Sequence, residues 1–235
     1  MTRTIHTVLL SGGTGKRMGI ETPKQFLTLA NKPVIVHSAQ TLGHLDFAGN
    51  RILGEMIVIA PSEYQEATRA ALGSLECRIT SGGETRQEST LSGLAALDGI
   101  ANGEDIVLIH DAARPLITPQ EVKRLCDGLE SNPDFDIASL VGPVSETIVS
   151  VQPNSAAHLD QPVPRDTLRA VKTPQALRWK IVDRLREFHG DFTDLLSWAH
   201  AAGLPGLLVP CDPANIKLTS PADLPLLESL AASGK

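Results

Sequence analysis

Apolar positions along the 235-residue chain gather into short unbroken runs separated by amphipathic stretches. Ile5 to Leu10, Met56 to Ala60, Cys77 to Thr80, Ile106 to His110 and Phe135 to Pro143 have the length of buried strands. Ile106 to His110 is almost wholly apolar, as a strand at the centre of a parallel sheet is. Pro33 opens a helix at its first turn, and Glu63 to Leu72 places Tyr64, Ala67, Ala71 and Leu72 near helical spacing. Thr85 with Glu88, and Thr118 with Glu121, are capping boxes that start two more helices. Arg178 to Phe188 predicts a helix with Trp179, Val182 and Leu185 on one face, and Asp191 to Asp194 leads into another ending at Ala202. Leu207 to Pro210 reads as an edge strand, and Ser220-Pro-Ala-Asp223 as the box that caps the last helix.

Strand and helix alternate, so the chain is expected to be α/β with a mostly parallel sheet, one domain over residues 1–235. The alternation breaks from Val144 to Ala170, where three prolines and β-like pieces such as Thr147 to Val151 replace any helix. A segment of that composition has no core of its own and is expected to protrude and pack on a partner.

Two strands end in glycine loops. After Leu10 the chain reads Ser11-Gly12-Gly13-Thr14-Gly15-Lys16-Arg17-Met18-Gly19, continued by Pro23-Lys24-Gln25. Glycines without Cβ atoms let backbone N–H groups close on an anion, and Lys16, Arg17 and Lys24 add side-chain cations. The loop is neither a Walker loop nor the dinucleotide-binding Gly-x-Gly-x-x-Gly. Ser81-Gly82-Gly83-Glu84-Thr85-Arg86 repeats the logic of a glycine turn opening a helix, with Ser89 one turn on. The central strand ends in Asp111-Ala-Ala-Arg114-Pro115, where a carboxylate would sit over a ligand crevice as the natural partner of Mg²⁺ on a triphosphate.

These residues resemble the cytidylyltransferases that act on polyol phosphates, over nearly the whole chain. The resemblance implies a three-layer Rossmann-like nucleotidyltransferase fold, with residues 144–170 forming a β-arm that reaches across a homodimer. It implies CTP binding by Ser11, Gly12, Gly13, Gly15, Lys16, Gly82, Gly83, Arg86 and Ser89, and catalysis by Arg17, Lys24 and Lys217 within Asn215-Ile-Lys217-Leu-Thr219. It assigns Asp111 to Mg²⁺, and Arg114, Thr147, Arg165 and Thr193 to the acceptor, with Thr147 and Arg165 serving the other subunit. Lys172-Thr-Pro-Gln175 is similar to a turn of that family.

The acceptor implied is 2-C-methyl-D-erythritol 4-phosphate, with ribitol 5-phosphate as the alternative. Ser11-Gly12 replaces the more usual Ala-Ala, Thr147-Ile-Val lacks a common lysine, and Leu195-Leu196 stands where small or acidic residues are usual. Asp-Ala-Ala-Arg-Pro leans toward the first acceptor, whereas Gly-Gly, Lys32-Pro-Val-Ile-Val-His and Thr-Ile-Val lean toward the second. A sugar-phosphate nucleotidyltransferase using another nucleotide, or a nucleotide sensor on the same fold, are the rival readings.

Composition narrows the classes further. A net charge of -6 and 3% aromatic content argue against a nucleic-acid binder, which needs a basic face or stacking platforms. Cys77, Cys126 and Cys211 are odd in number and widely spaced, so they read as reduced core thiols rather than a disulfide or zinc framework. No apolar run approaches the length of a membrane span, and a cytoplasmic enzyme is expected.

Overall fold

The apolar run at Ile106–Asp111 is buried at every position. Ile106 and Leu108 join one apolar cluster and Val107 and Ile109 another, because successive side chains leave a strand on opposite faces. A computed structural model of the chain describes residues 2–12, 22–47, 51–152, 155–190 and 192–233.

In chain order the elements are β1 (Arg3–Leu10), the small hairpin β2 (Thr28–Leu29) and β3 (Lys32–Pro33), α1 (Val34–Gly43), β4 (Arg51–Ile59), α2 (Gln65–Leu72) and β5 (Arg78–Thr80). They continue with α3 (Arg86–Ala95), β6 (Ile106–Asp111), α4 (Pro119–Ser131), β7 (Ile137–Pro143), β8 (Ile148–Gln152) and β9 (Ser155–Val163). The last are β10 (Arg169–Arg178), α5 (Val182–Arg186), α6 (Leu195–Ala201), β11 (Gly206–Pro210) and α7 (Asp223–Ala232).

Seven strands form one sheet in the order β11-β7-β10-β6-β1-β4-β5, with β6 in the middle and only β10 antiparallel to its neighbours. Helices α1, α2 and α4 cover one face through Ile35, Leu42, Leu72, Val122 and Leu125. Helices α3, α5 and α6 cover the other through Leu94, Val182, Leu185 and Trp198. The result is the expected three-layer α/β fold. A third cluster (Leu29, Val34, Ala113, Leu116, Leu218, Leu227) ties the β2–β3 hairpin and α7 to the loop after β6. It lies beneath the loops that carry the candidate chemistry.

Both predicted capping boxes form: Thr85 and Thr118 accept from the N–H of Glu88 and Glu121, whose carboxylates reach back. Three local expectations need correction. The Lys172–Gln175 segment is not a turn but the middle of β10, where Gln175 pairs with Ile109 of β6 and Ser139 of β7. The helix expected from Arg178 is a 3-10 turn, Trp179–Ile181, followed by the short α5, because Arg178 still belongs to β10. At α7 the box is half formed: Ala222 is the N-cap without a side-chain bond, while the Asp223 carboxylate accepts from the N–H groups of Thr219 and Ser220.

Residues 144–167 hold the antiparallel β8–β9 hairpin and a 3-10 turn at Arg165–Thr167, outside the seven-stranded sheet. β10 begins at Arg169, so the last two residues of the expected arm belong to the sheet. Cys126 is buried and Cys77 and Cys211 half-buried, all as free thiols.

Candidate active site

Leu10 and Asp111 are register partners at the carboxyl ends of β1 and β6. From β1 the chain works outward through β4 to β5, then returns to the other side of β1 as β6. Such a reversal of strand order opens a crevice beyond the strand ends. Ser11 is anchored there by its N–H, which donates to Ile59 O at 2.9 Å. Facing it is the start of α3, where Gly82 packs so closely that a Cβ atom would lie 2.5 Å from Ser89 Oγ and 2.8 Å from Ile59 Cγ2. Gly82 therefore lets the loop before α3 pack against Ser89 of that helix and the end of β4. Glu88 Oε2 accepts from the N–H groups of Glu84 and Thr85 at 2.7 and 3.1 Å, which orders the loop before the helix.

Asp111 is the meeting point of the cations. Lys217 Nζ donates to Asp111 Oδ2 at 2.6 Å, and Arg86 lies 3.3 Å from Oδ1. Burial pushes the Asp111 carboxyl up, but Arg86, Lys217 and Arg114 outweigh that cost and hold it well below the usual carboxylate range. It is a carboxylate at any working pH. Lys217 is set by its neighbour: Leu218 is fully buried and its N–H donates to Ala113 O at 2.8 Å, which binds the Asn215–Thr219 loop to the loop after β6.

Two clefts share this centre. One, of about 260 Å³, is lined by Ser11, Gly12, Lys24, Gly83, Arg86, Ser89, Asp111 and Lys217. The other, of about 280 Å³, is lined by Arg86, Asp111, Arg114, Thr173, Thr193 and Lys217. Arg86, Asp111 and Lys217 face both, so two ligands in these clefts would meet beside them. A third cavity of about 330 Å³, at Leu53, Glu55 and Leu75, lies away from the carboxyl ends of the strands and is lined by neither a lysine nor an arginine. The shared centre gathers the charged groups: Arg86, Asp111 and Lys217.

The structure thus brings together Ser11, Gly12, Lys24, Gly83, Arg86, Ser89, Asp111, Arg114, Thr193 and Lys217, with Gly82 packed behind Ser89. Gly13, Gly15, Lys16 and Arg17 lie outside the described residues. Thr147 and Arg165 are exposed, line neither cleft, and sit at the base of the hairpin, where Arg165 donates to Ser145 O at 2.8 Å.

Three buried polar residues were not singled out by sequence reading: Thr173, at the wall of the second cleft, and His110 and Asn215 behind it. Thr173 Oγ1 accepts from the Asp111 N–H at 3.1 Å and lies 3.1 Å from His110 Nδ1, while Asn215 Nδ2 donates to Thr173 O at 2.9 Å. Burial drives the His110 imidazole down to about 4, so it is neutral. The available signal was a polar residue at the end of an apolar strand, which spacing alone does not separate from an ordinary strand end.

Residues 5–232 match the family described as IspD, 2-C-methyl-D-erythritol 4-phosphate cytidylyltransferase. The chain is similar to the 2-C-methyl-D-erythritol 4-phosphate cytidylyltransferase of Leptospira interrogans, at 36% identity over 95% of this chain and 91% of that protein. The enzyme of the same name from Nitrosospira multiformis is also 36% identical, over 96% of both chains. Among solved structures, the 2-C-methyl-D-erythritol 4-phosphate cytidylyltransferase of Thermus thermophilus aligns with a TM-score of 0.71 and 25% identity, over 99% of this chain and 100% of that one. The 4-diphosphocytidyl-2C-methyl-D-erythritol synthase of Anaerococcus prevotii shares the fold, with a TM-score of 0.79 over 98% and 99% of the two chains at 19% identity. With the family matched from the first strand through the last helix, and relatives of this identity along nearly its full length, the chain belongs to the 2-C-methyl-D-erythritol 4-phosphate cytidylyltransferase family.

Proposed function

We propose that this protein joins the CMP moiety of CTP to 2-C-methyl-D-erythritol 4-phosphate with release of pyrophosphate, a step of non-mevalonate isoprenoid synthesis. A phosphate oxygen of the acceptor attacks the α-phosphorus of CTP, the bond to the β-phosphate oxygen breaks, and that oxygen leaves on pyrophosphate. The observation that carries this reading is the pair of clefts meeting at Arg86, Asp111 and Lys217. CTP takes the cleft between Ser11-Gly12 and the start of α3, and the acceptor takes the cleft beside Arg114 and Thr193.

The acceptor phosphate is already a nucleophile, so no general base is required. The work of the protein is to hold two anions in line and to stabilise charge on the five-coordinate transition state. Lys217, which faces both clefts, and Lys24, in the nucleotide cleft, supply that field, and Arg17 joins them from the glycine loop. Arg86 and Ser89 take the cytidine end, with Gly82 and Gly83 letting the loop pack against Ser89, Ile59 and Glu88 around it and Gly13, Gly15 and Lys16 cradling phosphate.

Asp111 fits Mg²⁺ in a specific sense. Among the described residues no three His, Cys, Asp or Glu side chains cluster, and Asp111, ionised at any working pH, is the acidic residue that lines both clefts. Mg²⁺ dehydrates reluctantly and is commonly held by one or two carboxylates together with substrate phosphates. Bound at Asp111, the ion would neutralise charge on the triphosphate.

The chain acts in this reading as a homodimer through its 144–170 arm. Ile148, Val149 and Val151 of β8 are exposed on both faces of the hairpin, and Thr147 and Arg165 stand at its base without a cleft of their own to serve. The three free thiols suit a reducing compartment, and the enzyme is cytoplasmic in this reading. Pyrophosphate release with CTP tests the reading: turnover is expected with methylerythritol phosphate, and faster turnover with ribitol 5-phosphate or a sugar phosphate would replace that acceptor.

A further inference from the structure

We infer that His110 is a positioning residue for the reaction, a buried clamp that holds Asp111 and Arg114 in register with each other. The inference rests on the site reading above. Its basis is a chain of hydrogen bonds oriented from the carbonyl at one end. Arg114 O can only accept, so His110 Nε2, 3.2 Å away, carries the ring proton and donates it. In the neutral ring Nδ1 is then the acceptor, and it takes the hydroxyl proton of Thr173, whose Oγ1 lies 3.1 Å away and itself accepts the Asp111 N–H at 3.1 Å. The neutral imidazole is thereby the Nε2–H tautomer.

Both ends of the turn after β6 are held by this one ring. The turn itself is closed by Arg114 N–H to Asp111 O at 2.9 Å. At its start, Asp111 is tied through Thr173 to His110, and at its end the Arg114 carbonyl takes the imidazole N–H together with Ser38 Oγ at 3.1 Å. The loop carrying Lys217 joins the same assembly, because Arg114 Nη1 donates to Asn215 O at 3.0 Å and Asn215 Nδ2 to Thr173 O at 2.9 Å. An imidazole is suited to this place because it offers an acceptor and a donor on opposite sides of one rigid ring, where an amide supplies only one of them in reach.

His110 is fully buried and lines neither cleft, so it acts through Asp111 and Arg114 rather than on substrate. Small displacements of positioning groups are expensive in rate, about a hundredfold for roughly 1 Å.

The test uses the full-length enzyme with His110→Phe, His110→Asn and His110→Gln, measured by pyrophosphate release with CTP and methylerythritol phosphate after circular dichroism confirms folding. His110→Phe is expected to lower kcat about ten- to a hundredfold. His110→Asn restores an acceptor for the Thr173 proton and should recover Mg²⁺ half-saturation. His110→Gln restores a donor for the Arg114 carbonyl and should recover the acceptor KM. In the ¹⁵N NMR spectrum of the wild type, the resonance missing from His110→Asn should report a neutral Nε2–H imidazole. Folded variants with wild-type kcat and KM, or a lowered melting temperature with unchanged kinetics, would overturn the inference, as would an Nδ1–H tautomer. Asp111→Ala and Arg114→Ala serve as controls: losses in these but not in the His110 variants reject the clamp alone, whereas full activity in them rejects the site reading beneath it.

Discussion

Lys217 Nζ and Asp111 Oδ2 lie 2.6 Å apart although 106 positions separate the two residues. Nothing local in either segment creates this pair. It exists because Leu218 is buried in the cluster that also receives Ala113, so the last loop of the chain is pinned over the end of the central strand. The lysine therefore arrives where both clefts meet.

Lys217→Ala should lower kcat/KM at least about a hundredfold while the fold persists, since it removes a cation aimed at developing charge and leaves the apolar anchor at Leu218 intact. Lys217→Arg should recover only part, because a planar fork does not replace a compact ammonium. Steady-state pyrophosphate release decides the matter, and a loss below tenfold would make the residue peripheral.

Asp111→Asn should weaken Mg²⁺ dependence, because the amide keeps the shape but gives up the charge that holds a hard cation. Titration of activity against Mg²⁺ is the measurement, and superimposable curves would remove Asp111 from the metal site.

Gly82→Ala places a methyl group against Ser89 Oγ and Ile59 Cγ2, at 2.5 and 2.8 Å before any relaxation. The loop before α3 must shift away from Ser89 and the end of β4, and the expected result is a raised KM for CTP with the acceptor KM little changed. Adding Ser89→Ala removes one of the two obstructing atoms and should return part of the loss only if Ser89 itself contributes less than the clash. A Gly82→Ala enzyme with wild-type CTP affinity would show that the approach is slack.

The architecture was legible because its strongest signals are local. Ile106 to Asp111 is buried on both faces and so reads as a continuous apolar run, and the boxes at Thr85 and Thr118 need only residues three apart. Lys172 to Gln175 was not legible as a strand, since Pro174 interrupts the pattern and the extended form is imposed by pairing with β6 and β7 on either side. Of the site, the glycine loop, Lys24 and Asp111 could be argued from chemistry. Lys217 and Arg114 came only through the family resemblance, because their roles depend on contacts across the whole chain. Asn215 and Thr173 form their bonds at sequence distances no motif spans.

His6 gives a test of stability against pH. Buried beside Asp105, it has its pKa lowered from 6.5, chiefly by burial, with Asp105 and Glu55 opposing the shift. The unfolded chain therefore binds the proton more readily than the folded one. Stability is fully present above about 6.5 and falls as the pH drops below it toward the lowered folded value. His6→Gln should flatten that slope in urea unfolding, leaving the part due to His110, whose shift to about 4 has the same sign. An unchanged slope would mean that His6 titrates normally in the folded protein.

The arm links sequence, assembly and function most directly. Arg165 is exposed at the base of the β8–β9 hairpin and lines neither cleft of its own chain, whereas Lys24 lines the cleft beside Ser11 and Gly12 that is proposed for CTP. If the arm serves the neighbouring subunit, Arg165→Ala alone should mainly raise the acceptor KM, by removing a charge-assisted phosphate contact worth about 1.5–3 kcal/mol. Lys24→Ala should instead lower turnover in its own chain's site. Mixing the two variants, assayed at an acceptor concentration well below the raised KM so that each alone is nearly silent, then creates heterodimers in which one site takes intact Lys24 from the Arg165→Ala chain and intact Arg165 from the Lys24→Ala chain. The other site carries both lesions. With free exchange of a two-fold dimer, half the dimers are mixed and one of their two sites is intact, so activity should return to roughly a quarter of wild type. Differently tagged subunits establish that exchange has occurred. No recovery in a demonstrably mixed population would mean that Arg165 works within its own chain or outside the site altogether.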